Sequence, residues 1–255
     1  MNTIKKKIIS AKDLAMGFGS RILMQNMNFD IHTGEILIIM GGSGCGKSTL
    51  LRVLMGLKEP RSGTLTYNDI YFWPGEEEVR QDIMRCTGVL YQAGALWSSM
   101  TLEENVSLPL ERYTNLSKEE IREQAELKLT LAGLAGFGKF YPSEISGGMR
   151  KRAGLARALA LDPDIIFLDE PSAGLDPVSA RRLDDLILEL RDSLQKTFVV
   201  VTHELASLFA IADNAVYLDA ESKTIIATGK PKELLDDPKT PKTVLNFLTR
   251  GETIT

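Results

Sequence analysis

The sequence predicts an α/β protein with a mostly parallel sheet and a helical subdomain inserted into it. Two observations carry that expectation. Residues 36–40, 87–91, 165–168 and 198–201 are continuous apolar runs, the pattern of strands covered on both faces. From about residue 102 to residue 161 such runs are absent, and apolar residues recur at helical spacing.

Taken in order, the first apolar run ends in a glycine-rich turn, and residues 49–57 then follow a helical pattern. The three glutamates Glu76, Glu77 and Glu78 read as a solvated loop. Ser117 with Glu120 forms a capping-box pattern that opens a helix. Gly133, Gly136 and Gly138 interrupt the helical spacing before Tyr141-Pro142-Ser143. After the run 165–168, Asp176-Pro177 supplies an N-cap followed by proline at the first helical position. Leu183, Leu186, Ile187, Leu190 and Leu194 then mark the face of that helix that packs on the sheet. Residues 215–218 and 224–227 flank Glu221-Ser222-Lys223 as a hairpin, and Val244, Phe247 and Leu248 suggest a short closing helix. One domain over 1–255 is expected, with 1–92 and 162–255 as the α/β core and about 93–161 as the helical part.

Composition narrows the function classes. The chain has 255 residues, 44% of them hydrophobic, with 30 Lys+Arg against 34 Asp+Glu. The resulting net charge of -4 opposes a protein held to nucleic acid by bulk charge. No apolar run approaches the length that spans a bilayer, and none follows the basic residues from Met1 to Lys7. A cytosolic chain without its own anchor is expected. Cys45 and Cys86 are too few for a disulfide framework or a metal cluster.

Gly41-Gly42-Ser43-Gly44-Cys45-Gly46-Lys47-Ser48, followed by Thr49, fits G-x-x-x-x-G-K-[ST] between a strand and a helix. Glycines let successive backbone N–H groups turn toward phosphate oxygens, and the helix N-terminus adds positive potential. Lys47 should reach the β- and γ-phosphates, Ser48 should offer its hydroxyl to Mg²⁺, and Cys45 is a spacer. The run 165–168 ends in Asp169-Glu170, two carboxylates at the C-terminal end of a strand, where α/β sheets bind ligands. One carboxylate there can hold Mg²⁺ and the other can orient and polarise the attacking water.

Four further segments fix a family. Gln92 follows one strand, Ser146-Gly147-Gly148-Met149 opens a helix, Ser172-Ala173-Gly174-Leu175-Asp176 follows the carboxylates, and His203 follows the last run. In this order they resemble the Q-loop, signature motif, D-loop and switch histidine of an ABC-transporter ATPase, over nearly the whole chain. The resemblance implies a P-loop NTPase (RecA-like) core with an antiparallel β-subdomain, binding ATP and Mg²⁺. It gives Asp169, Ser48 and Gln92 a place at the metal, Glu170 the general base, and His203 the sensing of the γ-phosphate. Ser146, Gly147, Gly148 and Met149 would contact nucleotide held by a second copy of the chain, with Asp176 linking the two sites of a homodimer. Phe18 stands where the family puts an aromatic residue against adenine. Arg150, Lys151 and Arg152 spread around a helix, so they read as solvated or interface positions and not as a phosphate or nucleic-acid patch.

Met149, where most members carry glutamine, and the Q-loop continuation Gln92-Ala93-Gly94-Ala95-Leu96-Trp97 look like the ATPases of the Mla phospholipid transporters, as does Val244-Leu245-Asn246-Phe247-Leu248. That branch implies permease subunits, an MCE-domain lipid-binding protein and a small STAS-type accessory subunit as partners, and no nucleic acid. It also implies a peripheral position on the cytoplasmic face of a bacterial inner membrane. The segment from Ala93 to Met100, with Leu96 and Trp97 exposed, would receive a permease helix. The chain ends at Thr255, where some Mla ATPases continue. A transporter of another cargo, or a non-transport ABC ATPase of cofactor assembly, is the competing expectation.

Overall fold

The computed structural model describes residues 6–251, which with their termini divide into two compact units, Met1–Met84 with Thr197–Thr255 and Arg85–Lys196. The N-terminal residues before Lys6 and the chain end at Thr255 lie outside the described residues.

In the first unit, β1 (Lys7–Phe18), β2 (Arg21–His32), β4 (Ser62–Tyr67) and β5 (Ile70–Trp73) form an antiparallel sheet in the order β2-β1-β4-β5. The two long strands escape a simple alternation because their pairing shifts register near Asp13 and Asn26, both with left-handed backbone. Asn28 stitches that irregularity, accepting from the Asp13 N–H at 2.9 Å and donating to its carboxylate at 3.2 Å. A second sheet places β3 (Ile36–Gly41) parallel to both β8 (Thr197–Val201) and β9 (Asn214–Asp219), with β10 (Thr224–Gly229) antiparallel to β9. Every residue of β3 and β8 is buried, which is why both read as unbroken apolar runs. Around these strands lie α1 (Lys47–Leu54), α7 (Leu205–Ile211), α8 (Pro231–Asp236) and α9 (Lys242–Leu248). The expected hairpin is β9–β10 and the expected closing helix is α9, whose Phe247 meets Tyr217 edge-on at 5.4 Å. One expectation is corrected: Glu77 and Glu78 are not in a solvated loop but start α2 (Glu77–Arg85), where acidic groups complement the helix dipole.

The second unit contains the parallel pair β6 (Thr87–Leu90) and β7 (Ile165–Asp169), with α3 (Leu102–Tyr113), α4 (Lys118–Leu131), α5 (Gly147–Ala158) and α6 (Pro177–Leu194). Ser117 and Glu120 form the predicted capping box on α4, and Thr101 with Glu104 forms a second on α3. Asp176 caps α6 by accepting from Val178 and Ser179 N–H, both at 3.0 Å. α6 buries Leu183, Leu186, Ile187 and Leu190, but Leu194 is 41% exposed, because the helix ends there in the left-handed Gln195.

Asn105, inside α3 and fully buried, shows how a polar core residue fixes a loop. Its amide accepts from the Trp97 N–H at 2.8 Å and donates to the carbonyls of Trp97, Met100 and Thr101. Asn105→Ala would remove the side-chain partner of the Trp97 N–H and of the Met100 carbonyl, so we expect a loss of about 2–3 kcal/mol, read as a lowered urea midpoint at unchanged slope. An unchanged midpoint would contradict that role.

Candidate active site

The first unit carries the glycine loop, Phe18 and His203. β3 runs into Gly41 and α1 starts at Lys47, so the loop between them is the predicted strand–turn–helix. Two of its glycines are required by geometry. Gly41 has φ +149, and a Cβ there would sit 2.4 Å from the Leu218 carbonyl oxygen. Gly46, the N-cap of α1, has φ +107, and its Cβ would press the Met16 methyl at 2.9 Å. The loop therefore lies tight against β9 and β1, with Gly42, Ser43, Gly44 and Ser48 facing out.

Lys47 folds its ammonium back over the loop, donating to the carbonyls of Gly41 at 2.9 Å and Gly42 at 3.0 Å. Thr49 is buried behind the exposed Ser48. Cys45 is 2% exposed, and burial pushes its thiol up against the opposing pull of Lys47, which keeps it a packing group. Phe18, at the end of β1, is 51% exposed, with the Lys58 ammonium 4.2 Å from its ring centre. His203 reaches the same sheet end as the glycine loop. Ile39 pairs with Val201, and both Gly41 and His203 lie two residues beyond that pair. The buried Thr202 accepts from the Glu204 N–H at 3.0 Å, which fixes the turn that exposes His203 beside Glu204.

The second unit carries Gln92, Ser146 to Met149, Asp169, Glu170 and Asp176. Leu90 pairs with Leu168, so Gln92 and Glu170 each lie two residues past that pair, at the C-terminal end of β6 and β7. Glu170 has φ +49, an uncommon conformation for a side-chain-bearing residue and one that turns the chain sharply after the strand. Ser146 is the N-cap of α5, its hydroxyl accepting from the Met149 N–H at 3.2 Å, so Gly147 and Gly148 form the first turn with their N–H groups forward. Hydrogen bonds from Ser179 and Val178 hold the Asp176 carboxyl below the usual range.

In the run Arg150-Lys151-Arg152 only Lys151 departs from the solvated reading: it is buried, whereas Arg150 is exposed and Arg152 half-buried, and all three donate to backbone carbonyls. Arg150 donates to Pro142 and Ile145, and Arg152 donates to Ala132 at 2.9 Å and Gly133 at 2.8 Å. Lys151 is only 6% exposed and donates to the carbonyls of Gln92 and Glu170. Burial pushes its ammonium down, against the upward pull of the Glu170 and Asp169 carboxylates. Leu96, expected to be exposed, is half-buried, whereas Trp97 is 61% exposed. Ser48 in the first unit, and Gln92 and Asp169 in the second, each offer an oxygen donor of the kind magnesium takes. Among the described residues no cluster of three or more His, Cys, Asp or Glu could hold a metal ion.

A family profile described as "ABC transporter" matches residues 24–173, more than half of the chain. This chain belongs to the ABC transporter family. It is an ABC ATPase cassette. The chain is 40% identical to the probable ribonucleotide transport ATP-binding protein mkl of Mycobacterium leprae, over 90% of this chain and 66% of that protein. It is 37% identical to the intermembrane phospholipid transport system ATP-binding protein MlaF of Haemophilus influenzae, over 91% of this chain and 87% of that one. The ABC cassette thus spans just under two thirds of the mycobacterial relative. In structure it resembles the dimeric post-hydrolysis state of the ATP-binding cassette MJ0796 bound to ADP and Pi. That likeness has a TM-score of 0.76 at 31% identity, covering 88% of this chain and 98% of the other. No helix among the described residues of the cassette is long and apolar enough to cross a membrane.

Proposed function

We propose that two copies of this chain bind and hydrolyse ATP at two composite sites and thereby drive phospholipid transport through membrane permease subunits. The likeness to MlaF over nearly the full length of both chains carries the cargo part of this reading. Solved dimers of similar cassettes support the pairing of two copies. In each site the loop N–H groups and Lys47 of one copy hold the phosphates, and Phe18 stacks on the adenine. The N-terminus of α5 in the other copy, through Ser146, Gly147, Gly148 and Met149, meets the γ-phosphate. Ser48, Asp169 and Gln92 would hold Mg²⁺, which when bound neutralises developing charge on the phosphate oxygens. Glu170 takes the proton of the attacking water, His203 contacts the γ-phosphate, and Asp176 links the two sites. On this reading the cassette works at the cytoplasmic face of an inner membrane, with an MCE-domain protein and a STAS-type subunit in the same assembly.

A second reading, transport of a different cargo, is favoured by the 40% identity to mkl and by a 36% match to the glycine betaine/carnitine transport protein GbuA of Listeria monocytogenes. Purification of the tagged chain from membranes, with mass spectrometry of what accompanies it, separates the two. An MCE-domain protein and its permease in the eluate are the expected result. A permease with a solute-binding protein in their place would reject the lipid cargo.

A further inference from the structure

Lys151, Gly154 and Arg157 lie three residues apart along α5 and so share one of its faces. That face receives the chain from Leu90 to Ala95. A Cβ on Gly154 would strike Leu90 Cδ1 at 2.7 Å and the Gly94 carbonyl oxygen at 3.0 Å, so glycine there lets the two segments touch. Arg157 donates to the carbonyls of Ala95 at 2.7 Å and Gly94 at 3.2 Å. Lys151, at the other end, donates to the Gln92 carbonyl and also crosses to the Glu170 carbonyl at 3.2 Å.

One ammonium therefore joins three segments: the helix that starts at the signature, the backbone of Gln92, and the backbone of Glu170. An ammonium suits this task because it carries several donors and no acceptor, and here every partner is a carbonyl oxygen. Its place is also selective. Arg152, the next residue, makes equally short bonds to carbonyls, but to the turn at Ala132 and Gly133, away from Gln92 and Glu170. Glu170 has left-handed backbone, so a bond to its carbonyl holds a conformation that the chain would not otherwise favour.

We propose that Lys151 is a positioning residue for ATP hydrolysis, holding the peptide groups of Gln92 and Glu170 to the signature helix so that the two side chains keep one relative geometry. The inference rests on the hydrolytic role proposed above for those two residues. It separates chemistry from nucleotide capture, because the glycine loop and Lys47 belong to the other unit of the chain. A base misplaced by a fraction of an ångström costs turnover without costing binding.

The test is steady-state ATP hydrolysis by the full chain carrying Lys151→Met, Lys151→Arg or, as a neighbour on the same helix, Arg152→Met, each with its melting temperature. Lys151→Met should lower kcat roughly 10–100-fold and leave KM for ATP within about twofold of wild type. Lys151→Arg, which restores donors, should recover most of the rate, and Arg152→Met should hydrolyse normally. Lys151→Gln, neutral and shorter, takes the place of Lys151→Met if the latter does not fold, with the same split expected. Wild-type kcat in the folded methionine or glutamine variant overturns the inference. So does a parallel loss of activity and melting temperature in Lys151→Met and Arg152→Met, which would mark a merely structural contact. A wild-type chain that does not hydrolyse ATP would remove the proposed function and this inference together, whereas hydrolysis indifferent to Lys151 would remove only the inference.

Discussion

Glu170→Gln should lower ATP turnover by about 10²–10⁴-fold, the usual cost of removing a general base. The substitution is nearly isosteric and leaves the backbone as it is. Glutamine can adopt the left-handed φ +49 of this position as readily as glutamate, and the bond from Lys151 is to the carbonyl, not to the carboxylate. Only the proton-accepting group is lost. ATP binding should therefore persist, and two copies should stay closed around unhydrolysed nucleotide. Size-exclusion chromatography with ATP should show a dimer for the variant and a shorter-lived one for wild type. Normal hydrolysis by Glu170→Gln would reassign the base, and Asp169 would be the next residue to test.

Lys47→Ala should weaken ATP binding by about 100-fold or more, since two charge-assisted contacts of about 1.5–3 kcal/mol each are removed. The ammonium rests at the loop, bonded to Gly41 and Gly42, and on binding ATP it would exchange those carbonyls for phosphate oxygens. Because the bond to Gly42 is exposed and the bond to Gly41 only part-buried, the variant should fold and melt close to wild type. Titration calorimetry with an ATP analogue gives the affinity directly. Unchanged affinity would refute the role of Lys47, whereas lost affinity together with lost folding would point to a structural lysine.

The parts of the fold that the sequence made legible are those where one physical demand acts alone. β3, β7 and β8 are buried on both faces, so their apolar runs had no competing reading. The glycine loop was legible because Gly41 and Gly46 occupy backbone conformations and spaces that exclude a side chain. β1 and β2 are less legible, because the register shifts at Asp13 and Asn26 break the alternation that marks a strand. α2 was hidden for another reason. It has no buried residue, so no apolar stripe marks it, and its acidic start resembles a solvated loop.

The same contrast holds at the site. Gln92, Glu170 and His203 each follow a strand and Asp169 ends one, which makes their positions legible in the sequence, and the parallel register brings Gln92 and Glu170 to one sheet end. The contacts of Lys151 and Asn105 are not legible in this way. Charged residues in a row suggest a solvated helix, and nothing in Arg150-Lys151-Arg152 says that each will end on a backbone carbonyl. For Asn105 a faint signal existed, since asparagine is a poor helix former and sits four residues after a helix N-cap. Its four hydrogen bonds explain why it is there.

The central claim is that each hydrolytic site is built from two copies of the chain, and mixing two inactive variants tests it most directly. Lys47→Ala disables the phosphate loop, and Ser146→Arg blocks the α5 N-terminus. A mixed dimer would pair the intact phosphate loop of one copy with the intact signature of the other. Equal mixtures should regain activity toward about a quarter of the wild-type rate, since half the dimers are mixed and each then carries one working site of two. Hydrolysis no higher in the mixture than in either variant alone would contradict a shared site and place the whole of it within one chain.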